Sequence, residues 1–248
     1  MTADEILAVN VHRPWGLPAR PWVMRQEWHR LLFAHWSVDP DKLCPLVPPM
    51  LELDVREGRC WIAVTPFYLA GLRARGLPAI PGTAAFPELN VRTYVTFGGK
   101  PGVYFFSLDA GSVMAVMGAR MFYALPYFYA AMRVRYAKEA VHYISARNHM
   151  GKSAAFEGDY RPDGAAVTPS PGSLEHFLVE RYCLYAVQAR RVYRAEIHHI
   201  PWPLQPAQAI ITTNTVALAA GIELPPEPPL LHFARHLEVL VWTPERLM

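Results

Sequence analysis

The sequence predicts an α+β fold dominated by antiparallel β-strands, and three observations carry that expectation. Proline occurs 24 times and glycine 15 times in 248 residues, so few windows can hold a long helix. Apolar residues recur with period two in short runs bounded by turn signals. The hydrophobic fraction is 52% against 18% charged, which supplies a sizeable core and is too apolar for a disordered chain.

Taken in order, Arg30–Trp36 reads as a strand. Asp39 before Pro40 then opens a short helix over Pro40–Leu46, because an aspartate cap accepts an amide hydrogen and proline is preset for the first turn. Arg59–Tyr68 is the next strand. The clearest unit is a hairpin of Glu88–Phe97 and Val103–Ala110 around the Gly-rich turn GGKPG. In its first strand Leu89, Val91, Thr93, Val95 and Phe97 share one face and Glu88, Asn90, Arg92, Tyr94 and Thr96 the other. Further strands are expected at Val113–Phe122, Val134–Arg147, Ala154–Tyr160, Arg181–Gln188, Val192–His199 and Leu237–Trp242. Ser173 caps a helix over Leu174–Glu180, and the Ala-rich stretch Gln208–Ala220 reads as a third helix. No repeat or polar linker divides the chain, so residues 1–248 form a single domain.

Composition excludes several functions. The apolar runs are far shorter than the ~20 residues of a membrane span, and the acidic start MTADEILAVN is unlike a secretory signal; a cytoplasmic protein without a membrane partner is expected. The net charge of +3 is spread singly rather than in a stripe, which argues against nucleic acid. Four lysines, Lys42, Lys100, Lys138 and Lys152, stand against 20 arginines. Arginine offers a fixed cationic fork for carboxylates, whereas lysine is the residue that becomes a nucleophilic amine. Cys44, Cys60 and Cys183 lack metal or redox spacing and read as buried reduced thiols.

Neither metal nor nucleotide cofactor is indicated. His198 and His199 are adjacent on a strand and face opposite ways, and His232 and His236 in a strand lie ~13 Å apart. No phosphate-binding glycine motif is present, and no nucleophilic Ser or Cys has a recognisable base beside it. What remains is a set of polar residues in apolar context: Glu88, Asn90, Arg92, Tyr94, Arg120, Tyr127, Glu175, Glu180, Arg181, Trp202 and Gln205. They form either a structural ion-pair network, such as Glu88 or Glu180 with Arg92 or Arg120, or a pocket in which Arg clamps a carboxylate or carbonyl and Glu or Tyr handles a proton.

The segments LLFAHWSVDPDKLCPLVPPMLELDV, PFYLAGLRARGLPAIPG, FPELNVRTYV, PGVYFFSLDAGSVMAV, PGSLEHFLVERYCLY and EIHHIPWPLQPA are similar to the YqjF-like family of bacterial proteins, over about Trp28 to Trp242. That family resembles, more remotely, the acetoacetate decarboxylase superfamily. The resemblance implies a cone-shaped antiparallel β-barrel with an interior pocket, and it is compatible with a homo-oligomer. It places Glu88 at the superfamily's active-site acid and Arg120 at the arginine of a Gly-Arg-Glu motif, with Met121 replacing the acid. Tyr127 and Phe128 stand where the decarboxylase has two lysines, one forming a Schiff base and the other lowering its pKa. Imine chemistry is therefore not expected. The expected function is binding of a small carboxylate or carbonyl compound by Arg92, Arg120, Asn90 and Tyr94, with Glu88 and Tyr127 as the expected catalytic pair. The alternatives are a lysine-independent lyase or isomerase using Glu88 as general base, or a non-catalytic structural or interaction protein.

Overall fold

The computed structural model describes residues 1–79, 84–123, 125–149 and 152–248. Fourteen strands are present among them: β1 Met24–Val38, β2 Glu52–Leu53, β3 Cys60–Ala74, β4 Phe86–Phe97, β5 Lys100–Ala110, β6 Tyr127–Tyr129, β7 Ala131–Ala137, β8 Ala140–Arg147, β9 Ala154–Pro162, β10 Cys183–Gln188, β11 Arg191–His198, β12 Leu204–Asn214, β13 Leu230–Val241 and β14 Glu245–Arg246. The helices are α1 Ala3–Ala8, α2 Pro40–Leu43, α3 Val113–Tyr123 and α4 Leu174–Val179, with single 3₁₀ turns at Cys44–Leu46 and Leu218–Ala220. Pairing is antiparallel except where β5 meets β10 and β6. No described helix is long and apolar enough to cross a membrane.

The strands run in the order β11-β10-β5-β4-β3-β1-β13, and β13 also pairs with β11, so the path returns on itself as a seven-strand ring. From β13 the sheet continues through β12 to β9, β8 and β7, which lie against the outside of the ring. This arrangement buries the ring strands on both faces, and the sequence shows it: LLFAHW in β1 is nearly continuous apolar instead of alternating. Leu32, Ala34 and Trp36 pack outward with Tyr143 and Phe156 of the outer sheet. Leu31 and Phe33 pack inward with Phe67, Tyr94 and Trp202.

Two irregularities set which residues face inward. In β1 the register with β3 shifts between His29 and Ala34, and Arg30 takes φ of 49°. Met24, Gln26 and Trp28 therefore face the interior before it, and Leu31 faces inward after it. In β5 the register shift opposite Val91 and Arg92 does the same, taking the inward set from Val103 and Phe105 to Leu108.

Most expected elements are present, with instructive differences. Val113–Phe122, expected as a strand, lies within helix α3. Its Met, Ala and Arg residues are good helix formers, Ser112 accepts the Ala115 amide at 3.3 Å, and Ala115, Gly118 and Ala119 present one face to the interior. Gln208–Ala220, expected as a helix, is strand β12 over its first half. Ala207, Ala209 and Ile211 alternate with exposed Gln208 and Ile210, and pairing with β9 overrides the helix propensity of alanine. Val134–Arg147 is a hairpin, its turn at Lys138 and Glu139 marked by a positive φ at Lys138 instead of by glycine. Cys44 is exposed, whereas Cys60 and Cys183 are buried as expected.

The N-terminal segment is fastened by charge. Thr2 and Glu5 form a reciprocal capping box on α1, and Ile6 packs on Leu240 and Trp242. Beyond it Arg13 donates to Glu196 at 3.0 Å and to the Ile197 carbonyl at 2.7 Å. Trp15 Nε1 reaches the same Glu196 oxygen at 2.8 Å, and Lys100 sits 3.0 Å from the other. Both Arg13 and Glu196 are buried. Removing one partner from such a pair leaves an uncompensated charge, so Glu196→Ala is expected to cost roughly 3–5 kcal/mol. Urea unfolding of the two proteins measures this, and equal midpoints would contradict the role assigned to Glu196.

Candidate functional site

The ring surrounds a partly open cavity of about 410 Å³. Its wall is chiefly apolar, with Trp28, Phe67, Phe86, Phe105, Leu108 and Trp202 among the larger contributors. A polar strip crosses it. Glu88, Asn90 and Arg92 occupy successive inward positions of β4, because strand residues of one parity share a face. Thr65 of β3 stands directly across from Asn90 in the register. Tyr127 of β6 arrives from the other side, held by parallel pairing with Leu108.

Glu88 is the centre of the strip. The Tyr127 hydroxyl donates to Glu88 Oε2 at 3.1 Å, and the Asn90 side chain is its second hydrogen-bond partner. Thr65 Oγ1 donates to Asn90 Oδ1, which fixes that amide with its NH₂ free to act as donor. Burial pushes the Glu88 carboxyl up to about 8; the Tyr127 and Asn90 bonds counter this in part, and Asp109 adds to it. The carboxyl is thus largely protonated at neutral pH. Burial, then the neighbouring Glu88, holds the Tyr127 hydroxyl well above its ordinary pKa, so tyrosine remains a donor.

Arg92 is buried and lines the cavity. Its Nη2 reaches the Leu178 carbonyl at 3.4 Å, the Tyr94 side chain is a further hydrogen-bond partner, and its guanidinium lies 5.2 Å from the Phe33 ring centroid. Its Nε has no partner, and among the described residues it makes no ion pair within 4.0 Å. Trp202 Nε1 is likewise a buried donor without a partner in a cavity-lining residue. Arg181 also lines the cavity but is paired with Asp54. His199 lines it too, and burial lowers its pKa.

The expected ligand-binding residues divide. Glu88, Asn90, Arg92 and Tyr127 meet at one cavity. Tyr94 is buried beyond its wall, where its hydroxyl lies 2.7 Å from His35 Nε2. Arg120 is exposed and donates from Nε to the Tyr127 carbonyl at 2.6 Å; it holds the backbone of β6 instead of facing the cavity. The ion-pair network considered from sequence is absent among the described residues. Glu88 pairs with no arginine, and Glu180 accepts from the Trp202 amide at 2.9 Å and from Tyr182. Gln205 donates to the Gly164 carbonyl. Besides Arg13 with Glu196, sequence reasoning missed the buried pair of Arg147 with Asp109, 3.1 Å apart. Arg147 lies over Phe128 at 4.4 Å, and Arg120 and Lys152 lie over the same ring at 5.4 and 5.8 Å. Thr65, His199 and the α3 face were also missed; only the pairing of strands reveals them.

His198 and His199 face opposite ways, as expected: His198 Nε2 meets the Ile6 carbonyl at 2.9 Å, while His199 borders the cavity. His236 meets not His232 but its cross-strand partner His29, with Glu27 beside them; one ligand atom from each lies within 4.8 Å of the others. Arg73, 3.6 Å from Glu27, competes there for the carboxylate.

Residues 25–238 match the DUF2071 family, described as an uncharacterized conserved protein. The chain is 52% identical over 233 residues to "Uncharacterized protein YqjF" of Bacillus subtilis (strain 168), covering 94% of each. Among solved structures it is similar to an acetoacetate decarboxylase from Legionella pneumophila, with a TM-score of 0.64 and 11% identity over 100% of this chain and 96% of that one. It is also similar to an acetoacetate decarboxylase-like enzyme from Sphingomonas wittichii RW1, with a TM-score of 0.63 and 14% identity over 97% and 99%. A third is the enduracididine biosynthesis enzyme MppR complexed with pyruvate, with a TM-score of 0.62 and 14% identity over 95% and 93%. These likenesses establish the fold.

The raised pKa of Glu88 has a consequence for stability. The folded chain holds this proton more tightly than the unfolded chain, whose glutamate titrates near its ordinary value of 4.5. Its stabilising contribution is therefore full below that value and is lost as pH rises through about 8. Urea midpoints measured across this window should fall less steeply with pH in Glu88→Gln than in the parent. Parallel profiles would show that Glu88 is an ordinary, solvated carboxylate.

Proposed function

The chain belongs to the DUF2071 family, and from that premise and the cavity's geometry we propose that it binds a small carboxylate or carbonyl compound inside the ring. The observation that carries this reading is Arg92, a buried cation without a counter-ion that borders a largely apolar cavity. A buried guanidinium with an unpartnered Nε is costly, and an incoming anion or carbonyl oxygen compensates it. A solved structure of similar fold, MppR, holds pyruvate, a compound with both a carboxylate and a carbonyl, which supports the reading at the level of fold.

Imine formation is disfavoured by what stands in the wall. None of the four lysines is among the cavity's described lining residues, and Lys100 is engaged by Glu196. A second, catalytic reading rests on the Glu88–Tyr127 pair. A carboxyl with a pKa of about 8 exchanges its proton readily near neutral pH, and Tyr127 offers a donor for a developing oxyanion. On this reading the protein acts on the bound compound by proton transfer, as a lysine-independent lyase or isomerase.

Arg92→Met retains the side chain's apolar stem and removes its charge. Calorimetric titration with pyruvate and butyrate should show binding to the parent and at least a tenfold loss in this variant, the weight of one charge-assisted contact. Equal affinities would refute the assignment of Arg92. Glu88→Gln should retain most of the binding while abolishing any proton exchange at the carbon next to the carbonyl, followed by deuterium uptake from solvent.

A further inference from the structure

The cavity's shape says more about its occupant than the charge does. Phe86, Glu88, Asn90 and Arg92 all line it, so it follows the inward face of β4 over six residue steps, a Cα span of ~20 Å. Arg92 stands at one end of this row. At the other, helix α3 closes the wall with the small side chains of Ala115 and Ala119 and with Gly118, which has none. A Cβ placed on Gly118 would meet no heavy atom within 4 Å, so the space beside it is open. Glycine within a helix costs about 1 kcal/mol relative to alanine; here it leaves volume that no protein atom fills. A compact keto acid would occupy only a small part of such a space, and ligand pockets of ~300–1,000 Å³ hold drug-sized molecules.

We propose that the physiological occupant is an elongated amphipath, a monocarboxylate whose head meets Arg92 and whose linear chain of about eight to ten carbons runs along β4 to α3. This deepens the head-group reading above and rests on it. Between the two ends the chain passes Glu88 and Tyr127, where a keto or hydroxyl group on the chain would find its hydrogen-bond partners. Much of the remaining wall is hydrocarbon: Leu31, Leu69 and Leu125 contribute nothing polar to it.

The test is a calorimetric series of butyrate, hexanoate, octanoate and decanoate on the intact protein, with octanol as a head-group control. Each buried methylene contributes about 0.8 kcal/mol, a factor of about four in affinity. Octanoate is therefore expected to bind about two orders of magnitude more tightly than butyrate. Gly118→Phe, which fills the open end, should weaken decanoate at least tenfold and leave butyrate unchanged; circular dichroism and thermal melting verify that the variant is folded, and the wild-type series stands without it. If butyrate and octanoate bind alike, the chain proposal falls and the head-group reading survives. If octanol binds as well as octanoate and affinity still rises with chain length, the head-group reading falls, and with it the monocarboxylate assignment. If no compound in the series binds, both are overturned.

Discussion

Burial of both faces of β4 is the constraint from which the site follows. A strand enclosed by β3, β5, the outer sheet and the ring's interior has no solvent side, so each side chain on it exchanges water for protein. Leucine and valine at positions 89, 91 and 95 gain from this exchange, whereas Glu88, Asn90 and Arg92 lose hydration and must recover it locally. Asn90 recovers it from Thr65 and Glu88. Glu88 does so by retaining a proton and accepting from Tyr127. Arg92 cannot shed its charge and finds only neutral partners, a long contact to the Leu178 carbonyl and the Tyr94 side chain, which makes it the unfinished member of the strip. The same enclosure that stabilises the ring thus prepares one neutral acid and one unmatched cation.

The two residues after Pro126 show what the wall holds where the resemblance implies amines. They occupy positions where the resemblance to acetoacetate decarboxylase places two amines, and their side chains diverge. Tyr127 enters the cavity and bonds Glu88. Phe128 turns into a group of cations, with Arg147 at 4.4 Å, and Arg147 is itself matched by Asp109. An ammonium at position 128 would face Arg147, Arg120 and Lys152, whereas an aromatic ring presents its negative π-face to all three. The aromatic identity of Phe128 therefore follows from the charges around it. With no amine at 127 or 128, what these positions offer the proposed site is the Tyr127 hydroxyl and its bond to Glu88.

Much of this was legible in the sequence, and the limits of legibility are physical. The hairpin and the inward set Glu88, Asn90 and Arg92 follow from period two and a Gly-rich turn, both local signals. Helix α3 and strand β12 were exchanged because their residues suit either state, and the deciding partners, the cavity wall and β9, lie far away in sequence. The apolar residues before Arg120 suggest a buried clamp; on a helix those neighbours point elsewhere, and Arg120 is exposed. The Asp109–Arg147 pair joins strands 38 positions apart, and no local pattern announces such a meeting. The register shifts in β1 and β5 are equally silent, yet they decide which residues line the interior.

Electrostatic bookkeeping within the cavity then narrows the occupant. Burial keeps Glu88 mostly protonated and lowers the pKa of His199, so near neutral pH neither contributes a full charge. Arg181 is matched by Asp54, leaving Arg92 as the net charge of the described lining. A monoanion brings this to zero, and a dianion or a cation would leave the cavity charged at a desolvation cost. Raising the pH through the Glu88 transition places a carboxylate on the same face as Arg92 and weakens the case for an anion. Ligand affinity and the protonation of Glu88 are consequently linked, and the twenty arginines matter less for their number than for Arg92, buried at the cavity without a carboxylate partner.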